Sequence, residues 1–407
     1  MTDHAERDTV ANWPSGRGTR EAVAKRFGTA DAELAARALT TGDPLADAAA
    51  EEVRAGGRPV RAALQQGIQH GLSSLDNPPE AVAALLTHTE TRPEYVDDAL
   101  LDRASASYFD APPEAQLIAL SAGSLVRVYE SPSIAEVLAM SGRLIDAVPR
   151  RIEDTGRWVL TAMLPGALRP GAPGYAATLQ VRMMHAHMRV MARRRGYDEA
   201  DLGVPVNQVD LARTWMDFTL TSHHALDVMG YEAAEADRAD QYRYWWYLAH
   251  LLGIDPRLVE GVQGPERARS RDDLLQAVTG PLVPEAGQLA HATLGSIAAT
   301  LRQLVRVPEV LGVPALHALS RRFHGDRRGD ALGLKRSAVA DAVLPSGIAA
   351  IRSRHARLRR NPGALQERRA SAIAKVRADL AAASRPASHA EGADPDRPVP
   401  REHSRKG

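Results

Sequence analysis

The sequence predicts an all-α protein organised as a single large domain. Apolar residues recur at helical spacing along almost the whole chain of 407 residues. Alternating strand patterns are nearly absent. The periodic stretches open on proline or a capping side chain and close on glycine. A chain of this length can bury a large core, as two or three domains or as one large helical domain. No fixed-period repeat is visible.

The elements follow in order. Residues 1–20 are polar and read as a loose N-terminal segment, ahead of an all-α domain over 21–383. Residues 21–72 read as short helices ending with Arg61 to Gly71. A helix carrying Leu85 and Leu86 follows Pro79, and Glu114 to Val128 is apolar and helical. Ser131-Pro132 predicts an N-cap followed by proline at the first helical position, opening a helix over 133–148. Pro149 opens the next, to about Met163. The stretch 164–174, rich in proline and glycine, breaks the pattern. A helix then runs from Tyr175 to Arg195, with Gly196 as its cap. Further helices are expected at 208–228, 233–252, 271–278, 284–306 and 314–324, then at 352–360 and 367–383. Residues 384–407, rich in Pro, Ser and charge, read as a disordered tail.

Composition excludes several chemistries. Lys plus Arg number 51 and Asp plus Glu number 50, so nothing in the charge favours nucleic acid or an anionic membrane. There is no cysteine, which excludes disulfides, thiolate haem ligation, Fe–S clusters and a cysteine nucleophile. No run of about 18 apolar residues predicts a spanning helix. Residues 1–28 are polar and lack an apolar h-region, so the expected location is the cytoplasm. Walker, Rossmann, Gly-x-Ser-x-Gly and His-Glu-x-x-His motifs are missing. No Glu-x-x-His pair exists, which argues against a carboxylate-bridged di-iron bundle.

The helix around His185 carries the strongest signal. Its apolar residues, including Leu179, Val181, Met183, Ala186 and Met191, go all the way round, as in an enclosed helix. Yet Arg182, His185 and Arg189 stand three and then four residues apart, one above the other on one face. Enclosed guanidiniums need anions. A histidine between two arginines tends to stay neutral, with a nitrogen lone pair to offer. Haem b combines two carboxylates with a need for a neutral imidazole. The same spacing also fits core polar residues paired with carboxylates of neighbouring helices. His187 lies about 200° from His185 around the helix, so the two cannot chelate one metal.

Arg151, Thr155 and Trp158 share a face of the preceding helix and could orient oxygen or a substrate. A surface arginine, a threonine bonded to its own helix and a core tryptophan fit equally. Asn207 suits an N-cap, with Gln208 and Asp210 in the first turn. The aromatic run Tyr242, Tyr244, Trp245, Trp246 and Tyr247 suits core packing. His223 and His224 are adjacent and point to different sides of a helix. Glu232, Glu235, Asp237 and Asp240 read as a solvated face.

Taken together, Arg182-x-x-His185-Ala186-x-x-Arg189, the preceding Arg151-x-x-x-Thr155 and the following Gly203-x-Pro-x-Asn-Gln-x-Asp210 resemble the latex clearing protein (rubber oxygenase) family. That family shares its catalytic domain with the fungal ER-bound oxygenase of mycophenolic acid synthesis. The resemblance spans roughly residues 100–330. It implies a globin-like helical core and a non-covalent haem b. It implies His185 as the proximal iron ligand and Arg182 and Arg189 as flanking residues, facing haem propionates or a local polar network. Arg151 and Thr155 become the distal catalytic pair. The family carries a lysine where this chain has Asp154, which leaves the distal position open, water-bound or filled by another residue. Glu136 and Glu130 are the nearby candidates for the family's catalytic glutamate. The implied activity is a haem b oxygenase acting with dioxygen on a small apolar substrate, an isoprenoid or another alkene. Dehydrogenation, hydroxylation or peroxide-driven oxidation on the same scaffold, and non-catalytic binding of haem or lipid, are the alternatives.

Overall fold

The computed structural model describes residues 13–142 and 144–383, and the expected tail at 384–407 lies outside them. No strand occurs among the described residues, in agreement with the all-α expectation. No described helix is long and apolar enough to cross a membrane.

The helix Pro173–Arg194 is the centre of the molecule. On one side it packs against Pro44–His70, and on another against Val148–Ala162. Glu235–Leu251 packs on it too and pairs with Asp98–Tyr108. Pro284–Val305 lies against Val148–Ala162 and against Glu309–His324. Ala338–Arg359 and Pro362–Ala382 pack on each other, with the first also against Glu309–His324. One continuous apolar core runs through all of these layers. A smaller cluster of Val137, Ala192 and Tyr197, with Met140 and Met188 packed on it, lies to one side of the central helix.

Local chemistry sets the boundaries. Asn207 caps Gln208–Met216 by accepting the Asp210 backbone N–H at 3.1 Å, as its position predicts. Pro149 stands in the first turn of its helix, where its missing N–H has no intrahelical partner to lose. Ser131 occupies an N-cap position, but its hydroxyl donates to Asp210 Oδ1 at 3.1 Å instead of capping. That helix stops at Met140, short of the expected 148, where Gly142 turns the chain with φ 75°. Residues 44–70 form one long element rather than short helices, bent at Gly57. Two π-helical turns, Ala119–Leu125 and Asp217–Thr221, interrupt α-helices and pack on each other. Expansions of this kind shift the phase of the apolar pattern instead of announcing themselves by a residue type.

Within the expected loose segment, residues 13–19 are pinned by one side chain. Arg17 is fully buried and grips both Asp210 oxygens, at 3.0 and 2.9 Å. Ser133 and Ser131 donate to the same carboxylate. Asp210 is therefore the hub that ties the N-terminal turn to the start of the Pro132–Met140 helix.

Candidate active site between two antiparallel helices

Val148–Ala162 and Pro173–Arg194 run antiparallel, joined by the breaker-rich loop 163–172. Their register is set at the closed end. A Cβ on Gly174 would lie 2.9 Å from Ala162 Cα, so only glycine permits this approach. One turn on, Trp158 Nε1 donates to Thr178 Oγ1 at 3.1 Å. Gly174, Thr178, Val181 and His185 follow one another at spacings of four, three and four, on one face. Ala162, Trp158, Thr155 and Arg151 do the same in reverse. With both helices rising about 1.5 Å per residue, an ideal continuation of this register would set Thr155 level with Val181 and Arg151 with His185. The structure thus packs together the two helices that carry the sequence constellations.

At the closed end Trp158 meets Phe218 and Trp245 edge-on, at 5.9 and 6.4 Å between ring centres. Toward Arg151 and His185 the burial relaxes. Arg151, Asp154, Thr155, Met184, His185 and Met188 are all half-buried. The expected enclosure of the 175–195 helix therefore holds on one side only: His187 is exposed, while His185 stands half-buried at the end of the enclosed face.

The arginines beside His185 have partners of their own. Arg182 Nε and Nη2 donate to Asp43 at 2.7 and 2.9 Å, and Nη1 donates to the Leu251 carbonyl at 3.3 Å. Arg189 Nε donates to Asp47 Oδ1 at 2.7 Å, and Nη1 to the Val206 carbonyl at 3.2 Å. Both guanidiniums are buried. The anions demanded by the sequence are thus the N-cap Asp43 and the first-turn Asp47 of the Pro44–His70 helix, the local polar network that the sequence also allowed. Two glycines make room. A Cβ on Gly42 would sit 2.8 Å from Arg189 Cδ, and one on Gly253 2.6 Å from Arg182 Nε. His88 stacks on His250 with ring centres 4.3 Å apart and lies beside Arg182. Burial, reinforced by that guanidinium, lowers His88 to about 4.

On the facing helix, Arg151 Nη2 donates to the Leu144 carbonyl at 2.6 Å, while its Nε is buried without a hydrogen-bond partner. Arg151 also neighbours the buried Tyr129 phenol, which burial raises against the pull of that cation. Asp154 is ion-paired with Arg150 at 3.6 Å. Of the two glutamates considered, Glu136 is exposed. Glu130 is buried between Arg213 at 3.4 Å and Arg328 at 3.1 Å, and burial raises its pKa.

Sequence reasoning missed that second ionic network. Arg127 pairs with Asp217 at 3.3 Å and Asp272 at 2.5 Å, beside the two π turns. Burial raises Asp217 to about 6. The available signal was Arg127 itself, a charge inside the apolar stretch 114–128.

Among the described residues no group of three His, Asp or Glu side chains could hold a bare metal ion. A lone half-buried imidazole instead suits a metal that arrives with macrocycle donors. His185, with the buried Arg151 Nε on the neighbouring helix, fits haem in that respect.

Residues 115–371 match the family described as ER-bound oxygenase mpaB/B'/Rubber oxygenase, catalytic domain. A solved structure of latex clearing protein LCP in the closed state has the same fold. It superposes with TM-score 0.60 at 21% identity, covering 82% of this chain and 90% of that one. No curated protein matches the chain. Asp43 and Asp47 lie ahead of the matched residues, whereas the arginines they hold lie within them.

Proposed function

The chain belongs to the mpaB and rubber-oxygenase catalytic-domain family, and on that premise we propose that it is a haem b-dependent oxygenase using dioxygen on a small apolar alkene, such as an isoprenoid. The observation that carries this reading is the match of residues 115–371 to that family, together with the packing of the Arg151 and Thr155 helix on the His185 helix. Haem b, when bound, supplies the redox chemistry for reacting dioxygen with a double bond.

The remaining roles belong to the chain. His185 would hold the iron through a ring nitrogen. Arg182 and Arg189 would fix the rotation and height of its helix through Asp43 and Asp47, supporting the ligand from behind. Arg151 offers a buried N–H and Thr155 a hydroxyl on the opposite surface, to orient oxygen and steady developing charge. Met184 and Met188, half-buried on the open side, give a deformable apolar surface for the substrate. The Trp158, Phe218 and Trp245 cluster closes the inner end against water.

Product analysis under isotopically labelled dioxygen tests the reaction class. Two labelled atoms in the carbonyl products of an isoprenoid alkene establish cleavage. One labelled atom indicates hydroxylation, and none indicates dehydrogenation; either result contradicts the reading.

A further inference from the structure

A cavity system is walled in part by the Phe218 and Trp245 rings. It has an inner pocket of about 20 Å³ and an outer one of about 360 Å³, which share His223, Ala233 and Arg238 as a neck. None of Arg151, Thr155 or His185 lines either one.

Four buried polar atoms without hydrogen-bond partners fall on residues of these walls: Tyr108 Oη, Gln116 Oε1 and His223 Nδ1 for the inner pocket, and Tyr242 Oη for the outer. Such atoms are few in native proteins, and their clustering around one space calls for a ligand. The Gln116 amide has its orientation fixed, because its Nε2 donates to the Tyr108 carbonyl at 2.7 Å. Its oxygen is the end left without a partner. His223 is fully buried, which keeps its ring neutral, and Tyr242 meets it edge-on at 5.2 Å.

Charge in the inner walls is already balanced, while Glu235 and Arg269 line the outer space at exposed positions. Asp110 is held by Arg369 at 2.5 and 2.9 Å, and Arg238 pairs with Asp227 at 2.5 Å. A charged group in the inner space would lose its water without gaining a counter-ion. The inner space matches one water molecule or one hydroxyl. The outer one has apolar walls at Leu220, Ala239 and Pro265, and its volume is in the range of small-molecule sites.

We infer that this double pocket binds a small uncharged alcohol, with its hydroxyl in the inner space between Tyr108 and Gln116 and its apolar body in the outer space against Tyr242 and Leu220. The hydroxyl donates to Gln116 Oε1 and accepts from Tyr108. The site does not rest on the haem reading: it includes neither Arg151, Thr155 nor His185, although Phe218 and Trp245 wall both sites.

Calorimetric titration of the full chain with cyclohexanol tests it. Saturable binding at one site per chain is expected. Tyr108→Phe, which removes a hydroxyl and little volume, should weaken binding roughly tenfold, the worth of one hydrogen bond. Ala233→Phe, which fills the neck, should abolish binding while the circular dichroism spectrum stays that of the wild type. Cyclohexylammonium should bind at least about tenfold more weakly than cyclohexanol. The inference is overturned if the wild type gives no saturable heat, which would mean the space holds only water. Equal binding by both variants, or by the ammonium compound, overturns it as well.

Discussion

Arg182 and Asp43 form a two-point ion pair, Nε to Oδ2 at 2.7 Å and Nη2 to Oδ1 at 2.9 Å, with side chains 2% and 4% exposed. Its partners come from segments far apart in sequence, and it sits one turn from His185. Removing one half leaves a buried charge without compensation. Asp43→Asn should therefore destabilise the protein by about 3–5 kcal/mol in chemical denaturation. Replacing both partners with apolar residues should cost less than Asp43→Asn alone, because no orphaned charge remains. A double variant that is less stable than the single one would mean the pair contributes in another way.

Gly253 stands with φ 71°, and its missing side chain admits the Arg182 guanidinium. Gly253→Ala should cost about 1–3 kcal/mol from overpacking, with a further penalty for the left-handed backbone. Gly156, where an added Cβ meets nothing within 4 Å, is the control. Gly156→Ala should leave the melting temperature unchanged or raise it slightly.

Asp210 accepts from Arg17, Ser131 and Ser133 in a buried site. Asp210→Asn removes the charge opposite a fully buried guanidinium. We expect a loss of about 3–5 kcal/mol in denaturant titration, together with faster proteolysis before residue 20 as Arg17 loses its anchor.

Acid should destabilise the fold through its buried histidines. Burial lowers His88 and His317 to about 4 and His324 to about 3. In the unfolded chain these rings protonate near 6.5, so between pH 6.5 and 4 the unfolded state binds more protons. Stability then falls as pH falls through that window and rises as pH rises. Asp217, raised to about 6, works in the opposite sense below pH 6 and offsets part of this. Melting temperatures measured from pH 7 to 4 should decline, and His317→Gln should flatten the decline. An unchanged or rising melting temperature would contradict the burial of these rings as neutral groups.

The sequence was legible where one residue type determines one local outcome. Asn207 at its cap, Pro149 in its first turn and the Arg182, His185, Arg189 face all emerged from spacing alone. What spacing could not supply was the partner. Asp43 and Asp47 look like ordinary residues at the start of a helix, and only the tertiary packing places them against guanidiniums about 140 positions away. The Arg127 and Asp217 network stayed hidden for a second reason, since π turns shift the helical phase by which facing residues are recognised. The same limit applies to the His223 cavity, whose walls come from separate helices and a loop.

The most direct test of the account is titration of the full chain with haemin, followed by absorption in the Soret region. Wild type is expected to bind one equivalent and give a b-type pyridine haemochrome. His185→Ala should lose the spectrum or weaken binding at least about tenfold, and Asp43→Asn should weaken it about tenfold while His185 is intact. A His185→Ala variant with the spectrum and affinity of wild type would contradict the central claim that this helix carries the iron ligand.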